Sequence, residues 1–329
     1  MGKTEGKRET VVAITVTYNR TVTLKKCLSA LQQQTRPVDE IIIVDNNSRQ
    51  EEAELLKELV HSQKHVHLLC LKENTGGAGG FEAGMRAALE KYQADWYWIM
   101  DDDAYPRPDC LANLLEAEEK LKDVGFVTPL IYGIDFQEYQ LYHHKYLRGL
   151  KLANIPIASK AEQLREINPV DANAFVGPLI SKKAVELVGI ADGSLFIYGD
   201  DTEYTYRITR KLKGYMIRDA VIDHQDPPLS DRYLEPKAWW KEYYSNRNRY
   251  FMIREFRRRT MEKILGYGAV TVPMMTQMAA ALIKPKYKGN RFLRIQMLLL
   301  AVRDGMCNRR GKTIDPVTYG KMIAKRSSL

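Results

Sequence analysis

Cysteine is scarce and scattered. The chain holds four, Cys27, Cys70, Cys110 and Cys307, with no C-x-x-C pair and no metal-ligand spacing. That excludes a disulfide framework and a thiolate metal cluster, and a reduced, cytosolic setting is the simplest reading. Glycine gathers in one run at 76–80, but the run fits neither G-x-G-x-x-G nor a P-loop ending in G-K-[ST]. An apolar leader is also lacking. Residues 1–10 are polar, so no secretory signal is expected there, and Gly6 stands where a myristoylation site wants Ser or Thr. Only Ile264–Ile283 runs long without charge, and its length could span a bilayer. It contains Gly266, Gly268, Pro273, Thr276 and Gln277, which favours buried or interfacial helices over a span. Internal repeats and low-complexity linkers are absent.

What remains is a globular composition, 45% hydrophobic and 28% charged. The charge is divided unevenly. Residues 237–329 carry 21 basic and 5 acidic side chains, a net of +16, against 29 basic and 36 acidic upstream, a net of −7. A tail of that sign suits a polyanion, either nucleic acid or an anionic membrane face.

Short apolar runs alternate with helical spacing through the first hundred residues. Val11–Val16, Glu40–Val44, Val66–Leu71 and Trp96–Met100 read as buried strands, with helices over 21–34, 51–61 and from the glycine run to about Tyr92. This pattern predicts βαβ units and a parallel sheet. Beyond it, Ala174–Ile180 and Tyr215–Ile222 read as strands, as does Leu195–Tyr198 before a helix over 203–212. His143-His144 carries no second signal and reads as a surface pair.

Ligands in such sheets bind beyond the carboxyl ends of the strands. Four polar features are predicted at that edge: Thr17–Asn19, Asp45, the glycine run and the triplet Asp101-Asp102-Asp103. Three adjacent carboxylates repel, and a divalent cation such as Mg²⁺ or Mn²⁺ is their natural counter-charge; a solvated acidic turn is the competing reading. The glycines could let backbone N–H groups meet a phosphate at a helix N-terminus, or form a plain turn. Asp45 could accept from a base or ribose, or cap a helix. Asp200-Asp201 opens a further helix, where one carboxylate could be a general base or simply favour the acidic first turn. His224 closes the last strand, and a lone histidine is more often structural than a ligand. Trp239, Trp240, Tyr243 and Tyr244 lie at helical spacing, which usually means core but also allows sugar stacking or a membrane interface.

In order and spacing, these pieces resemble the inverting family-two glycosyltransferases of the GT-A fold, and more narrowly their bacterial galactofuranosyl- and rhamnosyltransferases. The resemblance covers about residues 10–250. It rests on Thr17–Arg20, Val44–Ser48, Asn74–Phe81, Asp101–Asp103, Phe196–Asp201 and His224. It implies a Rossmann-like, mostly parallel α/β sheet flanked by helices. A catalytic domain over 10–236 would follow a polar tail at 1–9 and precede a basic helical region at 237–329. Thr17, Asn19, Arg20, Asp45, Asn74, Gly76, Gly77, Gly79, Gly80, Phe81 and Asp102 would serve the nucleotide-sugar donor, UDP-galactofuranose first and dTDP-rhamnose second. Asp101, Asp103 and His224 would hold Mn²⁺ or Mg²⁺. Asp201 would be the base with Asp200 supporting it, and the four aromatics would meet the acceptor. A polysaccharide or lipid-linked acceptor and a peripheral place at the cytoplasmic membrane face complete the expectation, with nucleic acid excluded as a partner. A nucleotidyltransferase or phosphodiesterase could also use clustered carboxylates, but the second carboxylate pair and the Asn74–Phe81 run favour sugar transfer. A nucleic-acid-binding protein would leave the acidic cluster unexplained.

Overall fold

The apolar runs do fold as adjacent strands. The computed structural model describes residues 8–61, 63–225 and 235–327. These form two compact units. One comprises residues up to 146, 156–193 and 201–225; the other comprises 147–155, 194–200 and the described residues from 235 onward.

The first unit is built on β1 (Val11–Thr17), β2 (Glu40–Asp45), β3 (Val66–Cys70), β4 (Trp96–Asp101), β5 (Ala104–Pro106), β6 (Val124–Gly133) and β7 (Glu138–Tyr139). Later in the chain come β8 (His144–Arg148), β9 (Ala153–Pro156), β10 (Ile167–Val170), β11 (Ala172–Asn173), β12 (Val176–Ser181) and β13 (Lys213–His224). The main sheet runs β10-β13-β6-β12-β4-β1-β2-β3, with β5 on β13 and β7 on β6; β8, β9 and β11 form a small separate sheet. Parallel pairing holds for β4-β1-β2-β3 and for β13 with β6, whereas β12 is antiparallel to both β4 and β6 and β10 is antiparallel to β13. The sheet is therefore mixed, with its parallel half where the sequence repeats strand and helix.

Successive residues of β1 point to opposite faces, as strand geometry requires. Val11 and Ala13 join Leu24, Cys27 and Leu28 of α1 (Thr21–Gln32), near Leu56 of α2 (Gln50–Val60). Val12 and Ile14 join Phe81 and Met85 of α3 (Gly76–Lys91) on the other face. Two apolar layers thus clamp the sheet. They extend to α4 (Cys110–Glu118) on the first face, and to α5 (Lys182–Val188) and α6 (Asp200–Thr209) on the second.

Helices dominate the second unit: α7 (Trp239–Phe256), α8 (Thr260–Ile283), α9 (Arg291–Met306) and α10 (Pro316–Ser327). Its core joins Trp239, Tyr243, Tyr244 and Ile253 of α7 to Val270 and Met274 of α8 and Leu293, Met297 and Ala301 of α9. Arg247 is fully buried there, bonded to the carbonyls of Leu195 and Gly311 and lying over the Tyr244 ring. No helix among the described residues is long and apolar enough to cross a membrane.

Residues 195–198 are not a strand. Gly193–Leu195 is a 3-10 turn, and Phe196, Tyr198 and Gly199 take positive φ of 67°, 63° and 92°. The amide of Asn248 ties this contorted backbone down, donating to the carbonyls of Leu195, Ile197 and Tyr198. The apolar side chains are drawn into the helical core, where Phe196 packs on Tyr244, so the run mimics a strand only in composition.

Candidate active site

Strand register assembles the site. Thr17 lies opposite Asp45 across β1 and β2, and Val16 lies opposite Asp101 across β1 and β4. Three polar groups thus emerge together at the carboxyl edge of the parallel sheet, where the chain must leave each strand. After Asp101 the chain turns through Asp102 and Asp103 into β5. Ala104 then pairs with His224 of β13, and the Gln225 N–H bonds the Asp103 carbonyl at 3.0 Å. This turn brings the histidine that ends the last strand beside the triplet. Ligand atoms of Asp101, Asp103 and His224 lie within 4.8 Å of one another.

The surroundings fit a cation. His224 Nδ1 lies 2.9 Å from the Gln140 side-chain oxygen, which holds the ring with Nε2 toward the carboxylates, 3.4 Å from Asp103 Oδ1. Two carboxylates and a neutral imidazole are a donor set for Mn²⁺ or Mg²⁺. Arg20 spans two of the three carboxylates, 2.9 Å from Asp102 and 2.8 Å from Asp103. Burial opposes its charge, but Asp103 and Asp102 outweigh that and hold the guanidinium above its usual value. Burial likewise works against Asp103, yet the bond to His224 and the charge of Arg20 keep its carboxyl below the ordinary range. Asp102 goes the other way. Burial pushes it up to about 7 despite Arg20 and the 2.7 Å bond from Thr17 Oγ1. Asp103 therefore suits a cation beside Asp101, while Asp102 belongs to a hydrogen-bonded layer with Thr17 and Arg20.

Asp45 is buried and accepts the Ser48 N–H at 3.0 Å, closing the loop after β2. Asn19 takes a left-handed φ of 56° and accepts the Arg49 N–H, joining the loops after β1 and β2. Asn46 was not singled out from sequence, yet its amide donates to the Gly76 carbonyl and accepts the Thr75 N–H. Asn74 caps the Gly76 N–H, and Gly76 has φ 75°. The glycines divide by role. A Cβ on Gly79 or Gly80 would come within 2.5 Å of Thr75 or Val16, so those two serve close packing, whereas Gly77 faces open space. Phe81 is in the core, edge-on to Phe175, and does not line the site.

Asp201 stands in the first turn of α6. Its Oδ1 accepts the Thr202 N–H and hydroxyl, and its Oδ2 lies 3.7 Å from Lys145 Nζ. Asp200 begins the helix and is buried. Lys145 and Gln140 had no signal in the sequence, since each lies in the aperiodic middle and gains meaning only from the fold. Three of the four supposed acceptor aromatics are core: Trp239, Tyr243 and Tyr244 are buried, and only Trp240 is partly exposed. Their phenols are spent internally, Tyr243 on Asp304 and Tyr244 on Ile314. His143 and His144 are buried too rather than a surface pair: His144 lies on the middle strand of the small sheet, opposite Asn173, and His143 packs edge-on to His224.

The model for "Glycosyl transferase family 2" matches residues 12–187. The chain belongs to that family. Galactofuranosyltransferase GlfT1 of Mycobacterium tuberculosis (strain ATCC 25618 / H37Rv) is 32% identical over 256 residues, covering 74% of this chain and 82% of the relative. The dTDP-rhamnosyl transferase RfbF of Shigella flexneri is 26% identical over 255 residues, covering 74% and 80%. Among solved structures, the mannosyltransferase PcManGT from Pyrobaculum calidifontis, in complex with GDP-Man and Mn²⁺, superposes with a TM-score of 0.55 at 17% identity, covering 92% of this chain and 89% of that one. Residues 1–349 of S. aureus TarS give 0.55 at 12% identity, covering 90% and 81%. The fold is GT-A with a C-terminal helical extension, and the chain is a nucleotide-sugar glycosyltransferase.

Proposed function

We propose that this family-two enzyme transfers galactofuranose from UDP-galactofuranose, with inversion, to a hydroxyl of a polysaccharide or lipid-linked glycan. The observation that carries the reading is the meeting of Asp101, Asp103 and His224 at the sheet edge where Thr17 and Asp45 emerge. The similarity to a galactofuranosyltransferase over three-quarters of the chain supports the sugar.

Asp101, Asp103 and His224 would hold Mn²⁺ or Mg²⁺, which when bound would supply Lewis-acid stabilisation of the departing diphosphate. Thr17 and Asp45 receive the base and ribose. Asp102, fixed by Thr17 and Arg20, faces the ribose or sugar, and Gly77, which faces open space, lies beside the phosphates. Asp201 takes the acceptor's proton as its oxygen attacks the anomeric carbon from the side opposite the diphosphate. Similarity to RfbF supports a second donor, dTDP-rhamnose.

A panel of nucleotide sugars in Mn²⁺, read by released nucleoside diphosphate, tests both donors; released pyrophosphate would instead mean nucleotidyl transfer. Asp201→Asn should bind donor as wild type does and lose roughly 10²–10⁴-fold in turnover. Wild-type turnover by that variant would remove Asp201 from the role. We also propose that the enzyme works at the cytoplasmic membrane face, on the evidence of α8, whose Met261, Ile264, Leu265, Val272, Met275 and Ile283 are exposed.

A further inference from the structure

Lys145 is a buried cation. Its side chain is 11% exposed, and among the described residues its ion-pair partner is Asp201, 3.7 Å away. Its Nζ also donates to Thr202 Oγ1 at 2.8 Å, and that hydroxyl donates in turn to Asp201 Oδ1 at 3.0 Å. The backbone leaves little freedom. Lys145 pairs with Ala172 across β8 and β11, and its carbonyl accepts the Asp171 N–H. The neighbouring strand residue Asn173 accepts from and donates to Thr205 of α6. Strand and helix are thus bolted together on either side of the carboxylate. Burying an ammonium is costly unless the partner repays it, and a carboxylate held in one orientation is what a general base requires.

We propose that Lys145 is a positioning residue for Asp201. The inference rests on the reading of Asp201 as the base. Thr202 occupies Oδ1, so Oδ2 is the oxygen left for the acceptor's proton. In the step, that proton passes to Oδ2 and the acceptor oxygen bonds the anomeric carbon. The bond from that carbon to the diphosphate oxygen breaks, and the electron pair leaves with the nucleoside diphosphate. The ammonium beside Oδ2 holds the carboxylate aimed until the proton arrives. Its charge faces Asp201 from β8. Within α6, Asp200 is the chain neighbour and Glu203 is paired with Arg207.

The test is the pH dependence of kcat for nucleoside diphosphate release, using UDP-galactofuranose and dTDP-rhamnose as donors in Mn²⁺. Lys145→Met should move the acid limb upward, as loss of a neighbouring positive charge does, and lower kcat several-fold, with Mn²⁺-dependent UDP binding by calorimetry unchanged. Lys145→Arg should keep the limb near its wild-type place. A Lys145→Met enzyme that melts lower but keeps the wild-type acid limb overturns the proposal, because a purely structural tie would give that result. Should this variant fail to fold, Thr202→Val removes the bridging hydroxyl and should move the limb in the same direction; an unmoved limb there overturns it equally. Asp201→Asn separates the two ideas. If it turns over normally, the base reading falls and takes Lys145 with it. If it is inactive while both Lys145→Met and Thr202→Val keep the wild-type limb, only the Lys145 proposal falls.

Discussion

At His144 the ring's Nδ1 lies 2.6 Å from the Asn173 amide oxygen, while Nε2 is buried with no hydrogen-bond partner among the described residues. Burial pushes the imidazole down to about 4, with the charge of Lys145 adding to the effect. The folded ring stays neutral where an unfolded one, titrating near 6.5, takes up a proton. Stability is therefore full above about pH 6.5 and falls as pH drops toward 4, by up to about 3 kcal/mol. His144→Gln removes that linkage at a neutral-pH cost of roughly 1–3 kcal/mol for the disturbed bond. Urea melts at pH 4.5 and 7.5 should show a smaller difference in the variant than in wild type, and equal differences would clear His144 of the role. A histidine flanked by polar residues gives no hint of this in sequence. Asp101, Asp103 and His224 were legible because acids after an apolar strand cost too much without a purpose, whereas Lys145 and His144 are defined by neighbours remote in the chain.

Among the elements, α3 shows how one glycine run carries two demands. Gly80 lets the helix settle onto β1, and Gly80→Ala, placing a methyl 2.5 Å from Val16, should destabilise by about 1–3 kcal/mol in a urea melt. Gly77→Ala meets nothing within 4 Å, so it should leave stability unchanged or raise it by up to about 1 kcal/mol. Loss of Mn²⁺-dependent UDP binding in that variant would place the donor against the helix start; unchanged binding would remove Gly77 from the site. The βαβ half was readable because each strand is a short apolar run with helical spacing on either side. In β6, Thr128 and Pro129 interrupt the pattern, and both faces are buried, so period 2 is erased. Leu195–Tyr198 misled for the opposite reason: its apolar side chains feed a helical core, while its backbone is set by Asn248, fifty residues on.

For the molecule as a whole, charge and exposure coincide. The region with a net charge of +16 also carries α8, which has no charged residue from 264 to 283 and a row of exposed apolar side chains. Arg257, Arg258, Arg259 and Lys263 precede that row, and Lys284, Lys286 and Lys288 follow it. A surface apolar in the middle and basic at both ends matches an anionic bilayer. The full chain should float with vesicles rich in anionic lipid and not with zwitterionic ones, and the bound fraction should fall as salt rises. Val272→Asp with Met275→Asp should reduce flotation severely. Flotation that ignores both lipid charge and these substitutions would contradict the membrane reading.

The four thiols divide evenly between two environments. Cys70 and Cys307 are exposed, while Cys27 and Cys110 are wholly buried. Cys27 lies directly beneath the acidic turn, its Sγ 3.9 Å from the Asp101 carbonyl, and burial, with Asp102 and Asp103 adding, raises its thiol far above the reactive range. The enzyme thus carries its own reporter of active-site breathing. Under native conditions two cysteines should react with a thiol reagent at once, and the labelling rate of Cys27 should time how often the floor of the site opens.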